Sequence, residues 1–223
     1  KVIIFIKKYF IEMNLKDRII NINPDKINLY SEPPNWWWFN PINKKISNIL
    51  IKKYLKYIAI GRMYYVGNWD LNSYKFNETS WYLKIKNLKD NLSRPELSYW
   101  YQTIINEINL KGYYFHKEIK ITNHKQAKFF FENYIFNLID SLKKKNYIIQ
   151  NKNDIPTALL GRNGELIKSG NGCHRLAIIK NFNIQCKYPI RIMGIHKKFF
   201  SNKNRNLRSN EEICNFVIDK YSK

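Results

Sequence analysis

The chain has 223 residues, of which 44% are hydrophobic and 16% aromatic, so it can fold around one sizeable core and is not an intrinsically disordered protein. Lysine and arginine number 39 against 17 acidic residues, which gives a formal net charge of +22 and favours anionic partners such as nucleic acid. The lysines greatly outnumber the arginines and spread along the whole chain, so we interpret the charge mainly as a solvated basic surface and keep nucleic acid as a less favoured partner.

The cysteines and the hydropathy of the sequence indicate the cellular compartment of the protein. The three cysteines, Cys173, Cys186 and Cys214, have no zinc-ligand spacing and are too few for a disulfide framework. They predict a reducing, cytoplasmic location and no cysteine-bound metal such as zinc. No apolar run in the sequence approaches the length of a membrane span.

The N-terminal part carries few structural signals. The opening KVIIFIKKYFI lacks a cleavage-type small-residue site, so we do not interpret it as a signal peptide. The chain starts without methionine, and we expect Met13 to be the natural start and residues 1–12 to be extraneous. An apolar-periodic stretch from Ile46 to Ile58 predicts a helix. We expect the run Trp36–Trp38 to serve packing, with a stacking platform for a base, sugar or partner as the alternative.

The middle of the chain alternates one strand with helices. Ile60 and residues 63–66 predict a strand, which Gly67-Asn68 ends in a turn that presents Trp69 and Asp70. Periodic apolar residues and capping signals predict three helices, over residues 78–92, 96–110 and 123–145. Arg94-Pro95 separates the first two helices, Gly112 ends the second, and Asn123 caps the third.

The last third of the chain changes to short strands. IPTALLG and ELIKS flank Arg162-Asn163-Gly164, and an Asn-Gly pair between apolar runs indicates a hairpin. The glycine turn SGNG follows, then a helix, then the strand YPIRIMGI ending at His196, and finally a polar tail with a short helix at 210–221. This order predicts a mixed α/β domain with the glycine turn at the mouth of a sheet.

The segment SGNGCHRLAII, which starts at Ser169, has the pattern of a phosphate site. Gly170 and Gly172 permit backbone conformations closed to other residues, and the helix that they open presents unsatisfied N–H groups. Arg175 would add a two-pronged charged contact. From the residues alone, a turn that merely caps a helix is the stronger alternative, since many strand-to-helix turns carry glycines without a ligand.

The segments GELIKSGNGCHRLAIIK and YPIRIMGIH resemble the ParB/sulfiredoxin superfamily. The specific resemblance covers residues 159–196, and GRMYYVGNWD upstream is similar to ParB-like proteins of little-defined function, some associated with surface-polysaccharide genes. The resemblance implies a small mixed sheet with packed helices and an N-terminal helical extension. It also implies that a nucleotide, ATP or CTP, binds through its phosphates at Gly170, Asn171, Gly172, Cys173, His174 and Arg175.

Two branches of the superfamily imply catalysis. The tetrapeptide Gly172-Cys173-His174-Arg175 resembles that of sulfiredoxin, which makes Cys173 a candidate nucleophile for sulfinate reduction, although an inert Cys173 is the interpretation we favour. Another branch phosphorylates a small molecule with ATP and needs a carboxylate base and Mg²⁺. Candidates here are Glu165, Asp70 and, for proton transfer, His196.

The sequence thus predicts an N-terminal extension over residues 1–58, a ParB-like α/β domain over 59–200 and a C-terminal tail over 201–223. The predicted function is nucleotide binding with ATP-dependent phosphotransferase or ATPase activity on a small molecule or surface-polysaccharide precursor. The alternatives are a DNA-binding or nuclease-like ParB relative and a sulfiredoxin-like sulfinate reductase.

Overall fold

A computed structural model describes residues 18–32, 64–65, 67–116, 118–145, 154–201 and 209–222. The tryptophan run Trp36–Trp38, the predicted helix 46–58 and residues 1–12 lie outside the described residues. The chain divides into two compact units. The first comprises Lys1–Phe76, Asn151–Gly172 and Lys187–Lys223, and the second comprises Asn77–Gln150 and Cys173–Cys186.

The first unit is built on a mixed seven-stranded sheet. Its strands are β1 (Ile20–Ile22), β2 (Leu29–Tyr30), β3 (Tyr64–Tyr65), β4 (Tyr74–Lys75), β7 (Thr157–Leu160), β8 (Leu166–Lys168) and β9 (Tyr188–His196). The α-helix that the structure describes in this unit, Asn210–Tyr221, packs against β1 and begins with a capping box between Ser209 and Glu212.

The sheet has the order β1-β9-β7-β8-β2-β4, with β3 pairing off this path to β9. The long strand β9 is antiparallel to β1, parallel to β7, and parallel to β3 near its end at His196. The strands β7 and β8 form the hairpin that Arg162-Asn163-Gly164 predicted, and Gly164 has a φ of 78°. The central strand β7 carries the buried residues Ala158, Leu159 and Leu160 on alternating faces, so the sheet is covered on both sides there.

The second unit is mainly helical. Its elements are α1 (Ser80–Asp90), α2 (Tyr99–Lys111), a hairpin of β5 (Tyr114–His116) and β6 (Ile119–Ile121), α3 (His124–Phe130), a π-helical segment (Phe131–Phe136), α4 (Asn137–Lys145) and α5 (Cys173–Asn181). Trp100 is fully buried among Phe130, Phe131 and His116 and forms the aromatic centre of this unit.

Most predicted elements with strong end signals are confirmed. Thr79, Ser98 and Asn123 cap their helices through side-chain oxygens, and Gly112 ends α2 with a left-handed φ of 80°. The predicted third helix is continuous over its length but widens to π geometry between α3 and α4. The coarse prediction of a mixed α/β fold is confirmed.

The predicted domain boundaries differ from the two units. Residues placed in an N-terminal extension supply β1 and β2 to the main sheet, and the predicted tail supplies a helix that packs on β1. Residues within the predicted ParB-like domain fall into both units. Short strands carry too few residues to signal pairing, so the sequence could not reveal these assignments. Among the described residues, no helix has the length and apolar character needed to cross a bilayer.

Candidate functional site

The glycine turn Ser169–Gly172 requires both of its glycines. Gly170 and Gly172 have φ values of 68° and 89°, in the left-handed region that favours glycine. A Cβ at Gly170 would lie 2.7 Å from Thr157 Oγ1, and one at Gly172 would lie 2.7 Å from Pro156 Cβ and 2.8 Å from the Tyr188 hydroxyl. The turn therefore packs so closely against β7 and β9 that any side chain at either position would force it away.

A buried lysine lies directly beneath this turn. Lys168 is 0% exposed, and the three N–H groups of its ammonium are shared among four carbonyl oxygens, those of Thr157 at 3.0 Å, Ser169 at 3.2 Å, Gly170 at 3.4 Å and Asn171. Charged donors make the stronger hydrogen bonds, so this ammonium fixes the path of the turn. It also places a positive charge at the base of the predicted phosphate site.

The amides of the turn are only partly open. Ser169 N–H donates to Thr157 O at 3.3 Å and Asn171 N–H donates to Thr157 Oγ1 at 3.0 Å, so both face inward. Gly172 accepts a hydrogen bond from the Tyr188 hydroxyl at 2.9 Å, while its own N–H has no acceptor among the described residues. Fewer backbone N–H groups are therefore open to a phosphate than the sequence suggested, because Thr157 accepts hydrogen bonds from two of them.

Arg191 is a residue near this turn that the sequence prediction missed. It pairs with Thr157 in the parallel ladder between β9 and β7. Its Nε is buried and has no hydrogen-bond partner in the described part of the chain. The sequence signal that could have revealed this residue is an arginine between Ile190 and Ile192 in an otherwise apolar strand. The apolar neighbours conceal this signal, because they predict only a buried strand.

The residues that follow the turn in sequence, Cys173 to Arg175, belong to the second unit. Cys173 is buried, with 7% of its surface exposed, which leaves its thiol little access to a substrate. Arg175 is half-buried. The predicted roles of both residues stay predictions.

His174 lies in an aromatic cluster. Its ring stacks on Trp100 with 5.4 Å between centroids and 15° between planes, and it meets Trp81 edge-on at 4.6 Å. The ring of His116 lies 5.4 Å away on another side. These contacts give His174 a packing role in the second unit, which the sequence did not indicate, because its partners come from distant helices and a hairpin.

Asp70 forms the centre of a buried polar network. Arg162 Nε and Nη2 each donate to one Asp70 carboxylate oxygen at 2.8 Å, and the Arg162 backbone N–H donates to Oδ2 at 2.9 Å. Burial raises the pKa of this carboxyl, but the side-chain and backbone hydrogen bonds from Arg162 and the positive charge of Arg162 outweigh this effect and bring the pKa below its usual 3.8. A carboxylate with this pKa and both oxygens engaged is suited to structure rather than to accepting a proton.

His196 closes the same network. Its Nδ1 accepts from the backbone N–H of Lys198 at 3.1 Å, so the proton lies on Nε2, which donates to the Gly67 carbonyl at 2.9 Å. Nε2 also lies 3.8 Å from Asp70 Oδ1. Both ring nitrogens therefore have backbone partners, and His196 ties the end of β9 to the turn that begins at Gly67.

Glu165 folds over the hairpin turn. Its carboxylate accepts from the Asn163 backbone N–H at 3.0 Å and from the Asn163 side-chain amide at 2.9 Å. A Cβ at Gly161 would lie 2.6 Å from Glu165 Oε2 and 3.5 Å from Asp70 Cβ, so the structure does bring these two candidate carboxylates close together.

These candidate catalytic residues lie far from the glycine turn. Glu165, Asp70 and His196 gather where β7 ends at Leu160, whereas the turn lies beside Thr157, where β7 begins. The four residues of β7 span about 10 Å from one end to the other. The direction of the hairpin therefore places these candidates at the opposite end of β7 from the predicted phosphate site.

The carboxylates also do not fit magnesium. Mg²⁺ binds through free carboxylate oxygens and water, but the oxygens of Asp70 and Glu165 are held by Arg162 and Asn163. In the described ranges, no group of three or more His, Cys, Asp or Glu residues is placed to hold a metal ion.

Searches against protein-family models, curated proteins and solved structures give no match to this chain.

Proposed function

We propose that this chain binds the phosphate groups of a nucleotide, ATP or CTP, at the glycine turn Ser169–Gly172. The observation that carries the proposal is the pair of left-handed glycines held over the buried ammonium of Lys168. Glycines allow an anion to approach the backbone closely, and a fixed positive charge beneath the turn favours negative charge above it. The likeness of GELIKSGNGCHRLAIIK to ParB/sulfiredoxin sequences supports the same ligand and adds Arg175 as a contact.

Phosphoryl transfer is not part of this proposal. The carboxylates named as bases, Asp70 and Glu165, are engaged by Arg162 and Asn163 at the far end of the hairpin. A general base must lie within hydrogen-bond reach of the group that it deprotonates. Nucleotide binding without a described catalytic base is therefore the function that the geometry supports best.

A thermal-shift titration with ATP and CTP, each with and without Mg²⁺, tests the proposal. A ligand at about one hundred times its Kd adds about 2.7 kcal/mol to the stability of the native state. For a chain of this length that is a rise in Tm of roughly 5–10 °C. The variant Arg175→Ala should show a smaller rise, and Arg94→Ala, which removes an exposed arginine of the same unit, should behave like the wild type. No shift in the wild type with either nucleotide would refute the proposal.

A second candidate function, single-stranded nucleic acid binding, is favoured by one surface of the second unit. Tyr113 and Phe115 are 41% and 53% exposed, their rings lie 5.2 Å apart, and Lys120 Nζ lies 5.4 Å from the Tyr113 ring centroid. Exposed rings beside a lysine can stack bases and attract phosphates. A salt titration of oligonucleotide binding tests it: the affinity should fall steeply with salt and weaken in Phe115→Ala, whereas no binding at low salt would exclude this function.

A further inference from the structure

Arg191 differs from the other arginines that the structure describes in the first unit. Arg162 is fully engaged with Asp70, Gly67 and Asn68, and Arg18 acts electrostatically on the Cys214 thiol. The side chain of Arg191 has no hydrogen bond or ion pair with any described residue, although its Nε is buried. Its guanidinium is thus uncommitted in a place where water does not reach Nε.

Such a donor calls for an explanation, since leaving a buried polar group unpaired costs free energy. Arginine could have been replaced in β9 by an apolar residue, as at the neighbouring positions Ile190 and Ile192, without losing any described contact. A ligand that accepts from the guanidinium would offset this cost.

The sheet places Arg191 beside the glycine turn. Arg191 is the register partner of Thr157, and residues paired across a parallel ladder project from the same face. Thr157 Oγ1 donates to Ser169 O at 2.5 Å and accepts from Asn171 N–H at 3.0 Å, so this face of β7 carries the turn directly. The Arg191 side chain therefore starts one strand away from the exposed residues Gly170 and Asn171.

We infer that Arg191 binds the phosphate group of the ligand at the glycine turn. The inference rests on the proposed function for its nucleotide but makes a more specific claim. It adds a phosphate contact from a strand residue of the first unit. A guanidinium offers two parallel N–H donors to two phosphate oxygens, which a lysine cannot reproduce. The ligand class is a phosphate or pyrophosphate moiety, alone or as part of a nucleotide.

The first test needs no nucleotide. If the guanidinium has no protein partner, Arg191→Met removes an unpaired buried donor, and the ligand-free variant should melt at or above the wild-type Tm. Arg162→Met, which removes a committed arginine of the same unit, should melt well below it. A Tm of Arg191→Met as low as that of Arg162→Met would show that Arg191 is structural and would overturn the inference.

The second test measures binding by calorimetry with inorganic pyrophosphate and, separately, with ATP. Arg191→Met should weaken the binding of each ligand by about tenfold or more. Arg191→Lys should also weaken the binding of each ligand, because lysine keeps the charge but loses the two parallel N–H donors of the guanidinium. Arg18→Gln, which removes one charge elsewhere in the unit, should bind like the wild type.

The outcomes separate the two claims. Wild-type binding of ATP that Arg191→Met leaves unchanged overturns the inference and leaves the proposed function standing. Pyrophosphate binding that depends on Arg191, without any binding of ATP or CTP, supports the inference and refutes the proposed nucleotide. Binding of neither probe overturns both.

Discussion

Replacing Asp70 by alanine should destabilise the protein strongly and in a pH-dependent way. The Asp70 side chain is 3% exposed and accepts three hydrogen bonds from Arg162. Removing one partner of a buried pair leaves the other without compensation and typically costs about 3–5 kcal/mol. Because part of the network reaches the surface, we expect about 3 kcal/mol, which corresponds to a fall in Tm of roughly 6–12 °C for a chain of this length.

The pH dependence follows from the lowered pKa of the Asp70 carboxyl. A carboxyl whose folded pKa lies below its unfolded value of 3.8 contributes stability that is present above that value and lost as pH falls through the folded pKa. Urea unfolding of wild type and Asp70→Ala at pH 7, 5 and 3 should show a gap that is constant from pH 7 to 5 and shrinks at pH 3. Asp25→Asn, at an exposed carboxyl of the same unit, should change stability by less than about 0.5 kcal/mol. A gap below about 1 kcal/mol at pH 7 would refute the network argument.

Three further predictions concern the turn and the thiols. Gly172→Ala should cost more stability than Gly67→Ala in chemical denaturation, because both have positive φ but a Cβ meets atoms at 2.7 Å in the first case and nothing within 4 Å in the second; equal costs would contradict the packing described. Lys168→Met should lower the free energy of unfolding by about 2 kcal/mol or more, since four carbonyl oxygens lose a charged donor, and a stable variant would count against this role. In native protein, iodoacetamide should modify the half-buried Cys186 before Cys214, because burial raises the pKa of the Cys214 thiol. Peptide mass spectrometry measures the order of modification, and the reverse order would contradict the burial of Cys214.

Local signals predicted the parts of the fold whose causes lie close together in sequence. Asn123 caps its helix through the amide of Gln126 three residues later, and Gly112 ends α2 by its own φ. The hairpin at Arg162-Asn163-Gly164 is equally local, because the Asn-Gly pair supplies the positive φ that the turn needs. The strands β1, β2 and β4 have two or three residues each, and their pairing is decided by partners far along the chain.

The candidate site was predicted less completely for the same physical reason. The glycines at positions 170 and 172 could be recognised because their backbone requirement is local. A charged residue at the end of a short strand is ordinarily expected in solvent, so the burial of Lys168 under the turn had no sequence signal. The separation of Glu165 from the turn depends on which end of the hairpin each residue occupies, and Arg191 depends on register.

The enclosure of the Lys168 amine has a consequence for chemical labelling. A reagent that acylates lysines reacts with amines that it can reach, and at Lys168 it must wait until the segment Ser169–Gly172 lifts away from β7. The acylation rate of Lys168, followed by mass spectrometry, therefore measures how often this segment opens. The exposed Lys197 and Lys198 in the same unit should react fast and serve as the reference. A phosphate ligand bound over the segment should lower the acylation rate of Lys168 further.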